Sequence, residues 1–120
     1  MKLFRNLVVA VAFVASVFGV SVAPTAEAAD FTYGNQSIHT YDSSIYYPDS
    51  GKAHLYLQYT NEYGRSYKYL VEANWEETPY TLYLLNDNGN RIIDGYNRYC
   101  YIVCNYHLTN EVCAYLRNRY

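Results

Sequence analysis

Residues 53–75 read AHLYLQYTNEYGRSYKYLVEANW, and they alternate with a period of two on both sides of a central break. In the first half Ala53, Leu55, Leu57 and Tyr59 share one side, and His54, Tyr56, Gln58 and Thr60 the other. In the second half Tyr67, Tyr69, Val71, Ala73 and Trp75 oppose Lys68, Leu70, Glu72 and Asn74. Such alternation is the mark of a half-buried strand, and Asn61-Glu62-Tyr63-Gly64-Arg65 between the halves has the composition of a turn. The stretch is therefore an antiparallel hairpin, with strands at 53–60 and 66–75.

Working outward, 80–85 places Tyr80, Leu82 and Leu84 on one side. The following Asn86-Asp87-Asn88-Gly89-Asn90 is a strong turn signal, because Asn and Gly tolerate positive φ. A strand at 91–94, a break at Gly95 and a last strand at 98–106 follow. Upstream, alternation is weaker and punctuated by Gly34-Asn35 and Asp42-Ser43-Ser44, where Asp42 caps a turn. Short strands are expected at 37–41 and 45–47, with a turn at 48–51. The chain ends in a helix capped by Thr109, with Glu111 near its N-terminus, Arg117 and Arg119 near its C-terminus, and Val112, Cys113, Leu116 and Tyr120 on one face. The expected class is α+β: a twisted antiparallel sheet of about five to six strands with a C-terminal helix packed on one face. No internal repeat is evident.

The N-terminus has the grammar of an export signal: Lys2 and Arg5, an apolar run over 7–22, and Ala26-Glu27-Ala28 as a cleavage site. We expect a signal peptide at 1–28 and one small exported domain at 29–120. A retained membrane anchor suits the run less well, since it is short and contains Ser16, Gly19 and Ser21. The expected location is periplasmic, cell-surface or secreted, with no membrane span after cleavage. Loss of Lys2 and Arg5 against only Glu27 makes an already acidic balance, 9 basic to 11 acidic residues, more so. That charge argues against nucleic acid, which needs a basic footprint.

All three cysteines, Cys100, Cys104 and Cys113, lie near the C-terminus. In a continuous strand Cys100 and Cys104 stand about 13 Å apart, beyond the roughly 7 Å a disulfide spans. A helix folding back over the strand would bring Cys113 to Cys104, so the expected disulfide is Cys104–Cys113. Cys100 is left as a buried thiol or as a link joining two copies. His39, His54 and His107 are scattered and no Cys-x-x-Cys pair is present, so no metal site is expected. No nucleophile elbow or comparable signature occurs; catalytic residues and cofactors are both read as none. Cys100 with His107 is the pair that a thiol enzyme would have to use. Glu72, Glu76 and Glu77 read as solvated carboxylates around a strand end.

The 17 tyrosines, all after residue 28, carry the remaining signal. Once the core side is assigned, His54, Tyr56, Leu70, Tyr83, Leu85, Tyr99, Tyr101 and Val103 face outward, too many large side chains for a freely solvated sheet. Either the N-terminal segment covers them or they form an interaction surface; Tyr56, Tyr83, Tyr99 and Tyr101 are the candidate ligand-binding residues, and a protein or envelope component the candidate partner.

Tyr41-Asp42-Ser43-Ser44-Ile45, the turn with Tyr63-Gly64, the strands at 67–71 and 80–85, Asp87-Asn88-Gly89 and the helix around Glu111 and Leu116 together resemble the surface-adhesin protein E family of small exported bacterial proteins. This chain has Phe31 and Tyr33 where a tryptophan would be expected near the mature start, and its own cysteine arrangement. The resemblance implies a sheet packed on a helix and adhesin-like binding of host matrix proteins at a bacterial surface. Alternatives are a small periplasmic enzyme inhibitor and, further off, a small hydrolase or thiol enzyme.

Overall fold

The computed structural model describes residues 28–120 and shows the α+β architecture, a six-stranded antiparallel sheet with one C-terminal helix packed against it. The expected signal peptide lies outside the described residues apart from Ala28. The strands are β1 (Ala28–Tyr33), β2 (Gln36–Tyr41), β3 (Tyr46–Asp49), β4 (Lys52–Thr60), β5 (Ser66–Asn74) and β6 (Thr81–Leu84), and the helix is α1 (Tyr106–Arg119). They lie in the order β1-β2-β4-β5-β6, with β3 beside the other half of β4's free edge.

The β4–β5 hairpin is the spine, nine pairs in unbroken register from Lys52↔Asn74 to Thr60↔Ser66. Its alternation sorts side chains as expected: Ala53, Leu55, Leu57, Val71 and Ala73 are fully buried. Ile38, Leu82, Leu108, Val112, Cys113 and Leu116 complete the core between sheet and helix. At the turn end the predicted inner residues Tyr67 and Tyr69 stack on each other, 6.0 Å between centroids, with Tyr69 packed against the core and Tyr67 exposed.

Weak alternation hid β1, which pairs with β2 through six residues after a two-residue turn at Gly34-Asn35, Gly34 taking φ 61°. The segment before β4 thus joins the sheet at its edge instead of covering the outer face. Asp42 opens a 3-10 turn, and its carboxylate accepts hydrogen bonds from Thr40 Oγ1 (2.6 Å) and from the Tyr115 hydroxyl, tying sheet to helix. Tyr47 adds a second tie, its hydroxyl donating to the Leu116 carbonyl at 2.8 Å.

The predicted strand at 98–106 does not form. Instead β6 and the segments around residues 92 and 100 pair in a closed triangle through the bridges Leu85↔Arg91, Ile93↔Tyr99 and Tyr83↔Tyr101. At its centre Leu84 N donates to Cys100 O, Cys100 N to Ile92 O, and Ile92 N to Leu84 O, at 2.9–3.0 Å. Each short segment thereby pairs with the other two, so no ladder extends. Residues 99–102 still alternate, Tyr99 and Tyr101 out and Ile102 in, which is why they read as a strand.

Three turns share one plan that the sequence does not show as a repeat. In each, an Asn or Asp side-chain oxygen accepts from the amides two and four residues on: Asn61 from Tyr63 and Arg65, Asn86 from Asn88 and Asn90, Asp94 from Tyr96 and Arg98. The residue three after it takes positive φ, namely Gly64 (81°), Gly89 (81°) and Asn97 (61°). Hydrogen bonding by the Asx side chain and a left-handed residue together fold each turn tightly. Asn97→Gly is therefore expected to be tolerated, changing stability by about 0.5 kcal/mol or less, whereas Asn97→Val costs 1 kcal/mol or more, of order. Urea unfolding of both variants measures the difference.

The helix starts four residues earlier than the predicted cap implies. Asn105, not Thr109, is its cap: the Asn105 side chain accepts from His107 N at 2.9 Å. Thr109 is buried inside the first turns. The predicted buried face of Val112, Cys113 and Leu116 is correct, while Tyr120 lies past the helix end and is 64% exposed. Among the described residues no helix is long and apolar enough to cross a membrane.

Candidate functional site: the outer face of the sheet

Register lines up one row of side chains across the outer face. Tyr46 pairs with His54, His54 with Glu72, Glu72 with Tyr83, and Tyr83 with Tyr101. Glu72 sits at the middle and is 6% exposed, which corrects its reading as a solvated strand-end carboxylate. Arg91 enters from the triangle, and its Nη2 stands 2.5 Å and its Nε 3.2 Å from Glu72 Oε2. Asn74 Nδ2 donates to the same oxygen at 3.1 Å, and His54 Nε2 lies 3.3 Å from Oε1.

Arg91 is held by aromatic faces as well as by charge. Its guanidinium carbon is 3.9 Å from the Tyr83 ring centroid and 4.8 Å from that of Tyr99, and the two rings meet edge to face at 5.7 Å. A guanidinium loses little hydration on meeting an aromatic face, so the stack suits Arg where Lys would fit poorly. The Tyr83 hydroxyl donates to the Glu77 carboxylate. Burial first, then that hydrogen bond, push the Tyr83 phenol above its ordinary pKa, so it remains a donor at neutral pH.

Burial alone would raise the Glu72 pKa, but hydrogen bonds from Arg91, Asn74 and His54 and the Arg91 charge outweigh it and hold the carboxyl below its ordinary value. A group with a depressed folded pKa binds its proton less readily folded than unfolded. Its stabilisation is complete above the unfolded value, about 4.3, and is lost as pH falls through the folded one. Acid unfolding followed by tryptophan fluorescence should therefore begin in the lower carboxylate range. Glu72→Gln should flatten the pH dependence there while lowering stability at pH 7.

Of the predicted binding residues, the structure brings Tyr83, Tyr99 and Tyr101 together, and sets Tyr56 two strands away, about 10 Å at ordinary strand spacing. Tyr99 and Tyr101 are 51% and 53% exposed. Beside them a cleft of about 410 Å³ lies between β6 and the first turn of α1, lined by Tyr83, Tyr99 and Tyr101 on one side and Cys104, Tyr106 and Thr109 on the other. Tyr56 is flanked by Lys68, whose ammonium stands 4.7 Å from the Tyr41 ring centroid and 5.2 Å from that of Tyr56. Leu85, expected outward, is buried where the triangle folds over it.

Sequence reasoning missed Arg91 and undervalued Glu72. The His54–Glu72 pair was within reach, because the Asn61–Arg65 turn sets the hairpin register and places residue 54 opposite 72. Arg91 was not, since it arrives through a loop whose path depends on the triangle.

The three cysteines are free thiols, and the expected Cys104–Cys113 disulfide is absent. The earlier helix start moves Cys113 to the eighth helical residue, while Cys104 stands outside any strand and is turned to Thr109, Sγ to Oγ1 at 3.3 Å. Burial pushes the Cys113 thiol up to about 12, and burial, partly offset by hydrogen bonding from Thr109, raises Cys104. Both stay protonated at neutral pH, which disfavours them as nucleophiles. His107 stacks on Tyr33 at 4.9 Å beside β1, and Cys100 lies in the triangle beyond β6, so that pair is not assembled. Among the described residues no group of three or more His, Cys, Asp or Glu side chains is placed to hold a metal ion. No family model, curated protein or solved structure matches the chain.

Proposed function

We propose that the protein is a non-catalytic, exported binding module of the bacterial envelope or cell surface, adhesin-like in action, that engages a protein partner through the outer face of its sheet. The observation that carries the reading is the cluster of Tyr99, Tyr101 and Val103, half or more exposed, on a scaffold stiffened by the Arg91–Glu72 pair. Tyrosine offers broad contact area at low entropic cost, and a rigid aromatic patch with a polar surround is what protein interfaces select. The polar groups behind it support the patch more than they invite chemistry, since the Glu72 carboxylate is already occupied by Arg91 and Asn74.

The inhibitor reading draws on a different feature, the turn from Asp94 to Arg98, which the Asp94 carboxylate rigidifies and which presents Tyr96 at 81% exposure. A stiff convex loop is the shape that enters an enzyme cleft. The two readings use different residues and separate cleanly.

The test is surface plasmon resonance of the purified protein against purified host matrix proteins and isolated envelope proteins. Tyr101→Ala should weaken a specific interaction by about tenfold or more while leaving the unfolding midpoint nearly unchanged, whereas Tyr99→Ala should weaken it similarly and also lower the midpoint, because its ring stacks on Arg91. Binding lost only on Tyr96→Ala favours the inhibitor, and catalytic turnover abolished by Cys100→Ser or His107→Ala would end the binding-module reading.

A further inference from the structure

The two sides of the sheet are finished differently. Beyond β6 the triangle folds over the edge, and β3, which takes the rest of β4's edge beside β2, is irregular in register and carries Pro48. These are the devices by which sheets avoid pairing with another chain. β1 carries only the single charge of Asp30: its six pairs with β2 run without a bulge, it contains no proline, lysine or arginine, and among the described residues no strand lies beyond it.

The printed hydrogen bonds determine which β1 groups face outward. Asn61 N to Arg65 O and Trp75 N to Gly51 O place odd-numbered β4 backbone groups toward β5. Even-numbered ones then face β2 and β3, and Tyr56 N, bonded to Ser44 Oγ, agrees. Through His39↔Gln58 and Phe31↔Ile38 the alternation carries to β1. Ala29, Phe31 and Tyr33 turn their backbone groups to β2, as the Ala29 N to Thr40 Oγ1 contact of 3.2 Å also indicates. Asp30 and Thr32 present theirs to the open edge.

A row of free amides and carbonyls is complementary to another strand, and we propose that β1 pairs with β1 of a second copy, antiparallel, with Phe31 on the two-fold axis. Outward groups can bond only to outward groups, so three registers compete. A two-fold at Asp30 sets two carboxylates face to face, and one at Thr32 moves Asp30 opposite Gly34 at the turn. The register centred on Phe31 sets Asp30 opposite Thr32 of the partner subunit, makes four backbone hydrogen bonds, and opposes no like charges. His39 Nδ1, 2.6 Å from Asp30 Oδ1, moderates the one charge on the edge. On the helix side the two Phe31 rings meet as a close cross-strand pair, each already seated edge-on against Tyr115 at 5.4 Å. The result is one continuous sheet with both helices on the same side.

Thr32 is exposed and points away from the helix, so its charge can be varied without touching the core. Sedimentation equilibrium of the protein recovered from its native host, under reducing conditions that exclude a Cys100 link, should give twice the monomer mass at high concentration. Thr32→Lys sets an ammonium opposite Asp30 of the partner subunit and should tighten the dimer about tenfold, and Thr32→Asp should loosen it by a similar factor. Phe31→Cys should yield a covalent dimer on mild oxidation with diamide, mapped to that residue. A monomer at every concentration, whether because residues before 28 or another protein's strand takes the edge, overturns the proposal, as does a response of the same sign to both Thr32 changes.

Discussion

Replacing Arg91 by alanine is expected to lower the unfolding free energy by about 3 kcal/mol, roughly 10–20 °C in the thermal midpoint of a domain this size. The Glu72 side chain is 8% exposed, and Arg91 supplies its shortest contact and its one paired guanidinium, so removal leaves a buried charge with only Asn74 and His54 beside it. The cost arises chiefly from that unpaired charge and much less from the attraction lost. The double variant Glu72→Gln with Arg91→Ala should accordingly be less damaging than the sum of the single changes. Arg91→Lys should recover only part of the loss, because an ammonium cannot both bond Glu72 through two nitrogens and lie flat between Tyr83 and Tyr99. Denaturant unfolding of the four proteins decides it; a cost below about 0.5 kcal/mol for Arg91→Ala would show that the pair is solvated, as surface pairs are.

Leu116→Ala is expected to cost about 3 kcal/mol by a different route. Leu116 is fully buried in the core cluster with Leu108 and Val112 from its own helix and Ile38 and Leu55 from the sheet. Truncation removes buried methyl groups and leaves a cavity that a sheet on one side and a helix on the other cannot readily close. Its carbonyl is also the acceptor for Tyr47, so loosening this turn of α1 weakens a tie from β3. Val103→Ala, at a site 78% exposed, should change stability by less than about 0.5 kcal/mol and serves as the control. Calorimetry on both variants would measure the contrast, and equal small effects would mean that the helix contributes little to the core.

The site was legible in part for a reason tied to β-structure itself. Side chains alternate across a strand even where the ladder is incomplete, so Tyr99, Tyr101 and Val103 could be assigned outward although the strand expected to carry them does not exist. The same alternation misled on the cysteines: a strand running through Cys104 would have aimed it at the sheet-facing side of the helix near Cys113, whereas the actual chain leaves the triangle after Ile102 and enters the helix at Tyr106.

By itself the sequence determined the α+β class, the β4–β5 hairpin and its register, and the buried faces of sheet and helix. Those follow from local periodicity and turn chemistry, which a chain carries wherever it goes. Only the tertiary structure decided that β1 forms the sheet's open edge, that three short segments close into a triangle, and that Arg91 reaches Glu72 between two tyrosine rings. Each depends on contacts between residues far apart in the chain. A single strand bridge or a buried ion pair leaves no period in the sequence from which it could be read.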